Sequence, residues 1–92
     1  MSLIYVKNKK GTTDKLLPYK YSSWLDLWEQ KKGKEASGCS VYECTGSSDL
    51  GGHVIKVGEG GKEYILPMCY SCNNKPEDEL FRAFESNLVS VK

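Results

Sequence analysis

The 92-residue chain has no apolar run approaching the roughly 18 residues that a membrane-spanning helix requires. Its start, Met-Ser-Leu-Ile-Tyr-Val-Lys, has neither the charged region nor the long apolar stretch of a secretory signal. A cytoplasmic, reducing setting with no membrane partner is therefore expected. Histidine occurs once, at His53, which excludes a catalytic centre built on two histidines. Net charge is only +1, well short of the basic balance that marks confident nucleic-acid binders. Gly51-Gly52 lacks the longer glycine pattern and following helix of a phosphate loop, so it reads as a flexible entry to a hairpin.

What is present is an ordinary soluble composition, 39% hydrophobic and 27% charged, with a mean hydropathy of −0.50. A chain of this size buries only roughly 60 to 65 per cent of its unfolded surface, so its own apolar core is modest. The most informative residues are four cysteines in two close pairs, Cys39/Cys44 and Cys69/Cys72, with His53 between the pairs. Two pairs brought together offer four sulfurs at the corners of a tetrahedron, the arrangement a structural zinc ion prefers. In a reducing compartment such pairs read as metal ligands. Two disulfides, or four unconnected thiols, are the alternatives.

Charge is uneven along the chain. Residues 1–34 hold eight lysines against three acids, whereas residues 35–92 hold four lysines and Arg82 against nine acids. Lys31, Lys32 and Lys34 are the candidate contacts to DNA or RNA, through phosphate neutralisation. The plainer reading is that the lysines solvate a surface or pair with the acidic half.

The pass along the chain places a strand or extended arm at Leu3–Val6, ended by the turn-like Asn8-Lys9-Lys10-Gly11, and an irregular stretch from Thr12 to Tyr21. A helix follows over Trp24–Lys32, with Ser23 as N-cap, Asp26 placed as in a capping box and Gly33 as terminator. Trp24, Leu25, Leu27 and Trp28 share one face of it, expected to anchor the helix to the cysteine module, with base stacking as the lesser reading of the tryptophans. Cys39–Cys44 is a tight loop of the zinc-knuckle kind, left through Thr45-Gly46. Strands at His53–Val57 and Lys62–Leu66 flank the turn Gly58–Gly61, and a helical turn over Cys69–Lys75 carries the second pair. Knuckle, hairpin and helical turn make a treble-clef order, in which the metal closes a long loop. Residues 79–85 fit a helix or a strand, and 88–91 read as a terminal strand.

The stretch Cys44-Thr-Gly-Ser-Ser-Asp-Leu-Gly-Gly-His53-Val, followed by Ile65-Leu-Pro-Met-Cys69-Tyr-Ser-Cys72-Asn73-Asn74-Lys75, resembles the cysteine-bearing branch of the HNH endonucleases. Most of the chain is also similar to small bacterial and phage proteins in which a Trp-rich helix precedes a comparable cysteine pattern. The HNH resemblance implies a ββα core, His53 as general base, Asn73 at the later polar position, and one Mg2+ or Mn2+ ion for phosphodiester cleavage. The residue before His53 is Gly52, where that family carries a ligand for the ion. The reading is then one α+β domain, an arm and amphipathic helix over 1–34 and a four-cysteine treble-clef zinc module over 35–92. It is expected to associate with nucleic acid and to have weak or no nuclease activity. An active nuclease and a protein-interaction module are the rivals. A polar cleft at His53 would favour the nuclease and a buried His53 would sink it. The other readings of the ring are a structural place packed or hydrogen-bonded near the zinc loop, a zinc ligand in place of one cysteine, or an exposed side chain.

Overall fold

Short apolar, β-prone runs set the strands, and the computed structural model, which describes residues 2–9 and 17–91, joins them in one antiparallel sheet. Its members are β1 (Leu3–Asn8), β2 (Leu50–Lys56), β3 (Glu63–Met68), β4 (Phe81–Phe84) and β5 (Val89–Ser90), in the order β4-β1-β2-β3-β5. Helix α1 (Trp24–Lys32) precedes β2, the short α2 (Tyr70–Asn73) follows β3, and a 3-10 turn over Glu85–Asn87 links β4 to β5.

β1 is an inner strand, paired with β2 on one side (Val6 opposite Lys56) and with β4 on the other (Val6 opposite Phe81). The arm therefore shares a sheet with the cysteine-bearing segment. It also runs two residues beyond the expected Leu3–Val6, because Asn8 still pairs with Val54. The expected turn at Asn8–Gly11 and the irregular stretch from Thr12 fall largely outside the described residues; residues 17–21 form neither helix nor strand.

Strand periodicity splits the core in two. On one face Val6, Val54, Leu66, Met68, Phe81 and Ala83 pack with Val41, Cys69 and Cys72. On the opposite face Ile65 and Val89 meet Leu27 and Trp28 of α1. The helix follows its sequence signals. Ser23 Oγ accepts a hydrogen bond from the Asp26 amide at 3.0 Å, and Gly33 ends the helix in a left-handed conformation, its N–H donating to the Glu29 carbonyl. Trp28 Nε1 donates to the Asn87 carbonyl at 2.8 Å. The tryptophans thus do hold α1 to the later segment, but across the sheet from the sulfurs.

Strand β2 starts at Leu50, three residues before the expected His53, so Gly51-Gly52 is interior strand and not a flexible entry. Close approach explains both glycines. A Cβ on Gly51 would lie 2.7 Å from the Leu25 amide nitrogen and 2.8 Å from the Trp24 carbonyl carbon, where α1 crosses the strand. A Cβ on Gly52 would overlap the Met68 methyl on the other face. Residues 81–84, which fitted helix or strand, are strand: Phe81 and Ala83 face the core while Arg82 is exposed, a period of two. The terminal strand is confined to Val89–Ser90. Among the described residues no helix is long and apolar enough to cross a membrane.

Candidate metal centre

The first cysteine pair sits on a loop stitched to the sheet by its backbone. Ser40 N–H donates to the Pro67 carbonyl at 2.8 Å, Tyr42 N–H to the Arg82 carbonyl at 2.7 Å, and Val41 bridges Ala83. Cys39 N–H donates to the Gly46 carbonyl and Cys44 N–H to the Val41 carbonyl, each at 3.0 Å, which closes the knuckle on itself. Gly46 N–H points back at Cys44 Sγ, 3.4 Å away. A side chain at Gly46 would stand 3.2 Å from Cys69 Sγ, so the glycine leaves room for the sulfurs.

The second pair lies across the β3–α2 junction. Cys69 caps α2, its Sγ accepting from the Cys72 amide at 3.5 Å. Asp49 fixes the same end. Its carboxylate accepts from the Tyr70 amide at 3.3 Å and from Ser47 Oγ at 2.7 Å, and its own N–H donates to the Met68 carbonyl. The far end of α2 is held by Asn8, which is 3% exposed. Its Nδ2 donates to the carbonyls of Cys72 (3.0 Å), Asn73 (3.3 Å) and Lys75 (3.1 Å).

These supports gather all four sulfurs within 4.8 Å of one another. Cys44 Sγ lies 3.9 Å from Cys69 Sγ and 3.7 Å from Cys72 Sγ. Four sulfurs each about 2.3 Å from a central ion in a tetrahedron are roughly 3.8 Å apart, whereas a disulfide requires about 2.05 Å. No two of the four are joined as a disulfide, and one sulfur at similar distances from two others is the pattern of a shared centre. Their electrostatics are divided. The Cys72 amide lowers the Cys69 thiol from its ordinary range, while burial raises those of Cys39 and Cys72. A bound divalent cation would deprotonate the set outright.

The other candidate residues lie elsewhere. His53 is 6% exposed and belongs to the α1 face, so the sheet separates it from the sulfurs. Its ring meets the Trp24 ring edge-on at a centroid distance of 4.6 Å, and its Nδ1 is 3.5 Å from a Glu63 carboxylate oxygen. Asn73 directs its side-chain oxygen toward Gly52, 2.7 Å from where a Cβ would be. Lys31 and Lys34 are exposed at and just beyond the end of α1, whereas the Lys32 ammonium donates to the Ser86 carbonyl.

Sequence reasoning missed Asn8 and Asp49 as supports of the site. The signal for Asn8 was available: strand alternation puts it on the same face as Ile4 and Val6, and an inward-facing amide must find partners. The chain is thus a small α+β domain whose four cysteines are positioned to hold a metal ion. No family model, curated protein or solved structure matches it.

Proposed function

We propose that the four cysteines hold one structural Zn2+ in a treble-clef-like module, and that the domain acts by binding nucleic acid rather than by cutting it. The observation that carries this reading is the spacing of the sulfurs, at the separation of a tetrahedral S4 site. Four protein ligands leave no open coordination position, the mark of a structural and not a catalytic zinc. The order of knuckle, β2–β3 hairpin and α2 supports the treble-clef description.

Against a nuclease stands the setting of His53. A general base must reach the proton it removes, and this imidazole is buried between α1 and the sheet, with Trp24 and Glu63 as neighbours. Asp49 and Glu63, the acids nearest the resemblance, are engaged with the Tyr70 amide and with His53. Neither of these two carboxylates is thereby free for the Mg2+ or Mn2+ ion of HNH chemistry. Nucleic-acid association is supported by the exposed Lys31 and Lys34.

Metal analysis of the purified protein should give one zinc per chain, lost on Cys72→Ser. Plasmid incubated with Mg2+ or Mn2+ should stay intact. Oligonucleotide affinity should fall steeply with salt. Zinc-free protein with unchanged melting would sink the metal reading, and cutting abolished by His53→Ala with zinc retained would establish the nuclease.

A further inference from the structure

Helix α1 packs over β2, β3 and β5, at one end of its face of the sheet. At the other end, over β1 and β4, the outward side chains include the aromatic Tyr5 and Phe84. Tyr5 is 54% exposed and stands directly opposite Arg82, and Leu3 stands opposite Phe84. The knuckle adds Tyr42, 38% exposed, whose ring lies under the Arg82 guanidinium at 5.0 Å and meets Phe84 edge-on at 5.9 Å. Val57, whose N–H donates to the Tyr5 carbonyl, continues the row on the other side. Three of the six exposed large apolar side chains among the described residues, Tyr5, Tyr42 and Val57, thus fall on one strip of sheet. Contiguous exposure of this kind marks an interaction surface.

The charges on the strip select its occupant. Arg82 is the chain's one arginine, and neither it nor Lys7 on β1 has a carboxylate partner among the described residues. Exposed rings on a sheet, alternating with unpaired cations, suit a ligand that has both flat faces and anionic links. In a duplex the base faces are already stacked, so only an unpaired strand can offer them. Tyr5 and Tyr42 are two strand spacings apart, about 10 Å, with Arg82 between them. We propose that this strip binds single-stranded nucleic acid, with bases stacked on Tyr5 and Tyr42 and an intervening phosphate on Arg82. The inference rests on the nucleic-acid reading above and gives it a strand type and a place. Glu77 and Asp78 border the Lys7 end in a cavity of about 330 Å³, and Glu59 and Glu85, both paired with Lys56, line a cavity with Tyr5 and Val57, so acids limit the site on both sides.

Fluorescence anisotropy with labelled oligothymidine, oligouridine and a short DNA duplex tests this on the zinc-loaded chain. Both single strands should bind more tightly than the duplex. Tyr5→Ala and Tyr42→Ala should each weaken binding at least about fivefold, with Tyr5→Phe near wild type. Arg82→Gln should weaken it and flatten the slope of log affinity against log salt by about 0.7. Zinc content and melting temperature of each variant confirm that the fold is intact. Oligonucleotide binding that ignores these variants but falls with Lys31→Gln and Lys34→Gln overturns the strip while leaving nucleic-acid association standing. Absence of binding to all three probes overturns both. If the Tyr5 and Tyr42 variants instead abolish a dimer seen by sedimentation, the strip is a self-association surface and the proposal fails.

Discussion

The two faces of the sheet are covered by different means. Over one lie the knuckle and the four-residue α2, which contribute Val41, Cys69 and Cys72 to a core shared with Leu66, Met68 and Phe81 of the strands. Over the other lies the nine-residue α1, which contributes Leu27 and Trp28 and collects Leu17, Tyr21, Trp24, Ala36 and Val91 around them. The helix face has large apolar side chains to bury. The sulfur face has loops whose main inward groups are thiols. The first is held by a helix packed on the sheet, and the zinc reading makes the second depend on an ion to hold its loops.

Losing the ion should therefore produce the largest effect available in this molecule. A structural zinc supplies about 10–16 kcal/mol in finger-like peptides, as much as the entire stability of an ordinary domain. Cys72→Ser, or removal of the metal by chelator, is expected to abolish cooperative folding. Hydrogen exchange should find the knuckle, α2 and β4 unprotected. Full protection of those elements in chelated protein would mean that both faces are held by packing alone, and the distinction between them would collapse.

Trp28→Ala attacks the other face. It removes a buried indole and leaves the Asn87 carbonyl without its 2.8 Å partner. About 3–5 kcal/mol should be lost, read from denaturant unfolding of zinc-loaded protein, with zinc content unchanged. If zinc were lost as well, the faces would be one cooperative structure and not two.

How much of this contrast the sequence carried depends on the kind of signal. The helix was legible from end to end, because its cap, its apolar spacing and its terminating glycine are all local. The clustering of the cysteines was legible too, because pair spacing is a local property of metal sites. Other features depend on neighbours distant in the chain. Asn8 looked like a turn residue until β2 was laid beside β1, which turns its amide toward the end of α2. Gly51-Gly52 looked like slack, since nothing nearby in sequence reveals that α1 crosses at one glycine and Met68 fills the space at the next. His53 was visible as the one titratable group of its kind, but which face it occupies is set by strand register, and register is fixed only when the sheet closes.

The adjacent glycines offer a sharper comparison, because alternation aims one at each face. In Gly51→Ala the new methyl meets backbone atoms of Trp24 and Leu25, which can move only if the whole helix moves. In Gly52→Ala it meets the end of the flexible Met68 side chain and the Asn73 amide oxygen. Gly51→Ala should lie at the upper end of the roughly 1–3 kcal/mol range for overpacking, and Gly52→Ala at the lower end. Denaturant titrations side by side decide it. The reverse order would mean that α1 shifts more readily than the sulfur-side core.

The smallest expected effect lies in the knuckle. Glu43 is the only non-glycine among the described residues with positive φ, at 69°. It holds that conformation because the loop must reverse between the Tyr42 amide, bonded to the Arg82 carbonyl, and the Cys44 amide, bonded to the Val41 carbonyl. A left-handed conformation costs a residue with a Cβ about 1–2 kcal/mol, while glycine there gives back roughly 0.5–1 kcal/mol of that in extra unfolded-chain freedom. Glu43→Gly is therefore expected to stabilise the zinc-loaded fold by up to about 1 kcal/mol, an increment of the size a relieved turn gives. The strain exists only when the knuckle is formed, and the zinc reading has ion and knuckle form together, so on that reading the gain should appear as zinc held up to about fivefold more tightly against a competing chelator. A variant that raises the stability of chelated protein while leaving zinc retention unchanged would place the turn among the structures that form without metal. The sulfur face would then be organised by its backbone before the ion arrives.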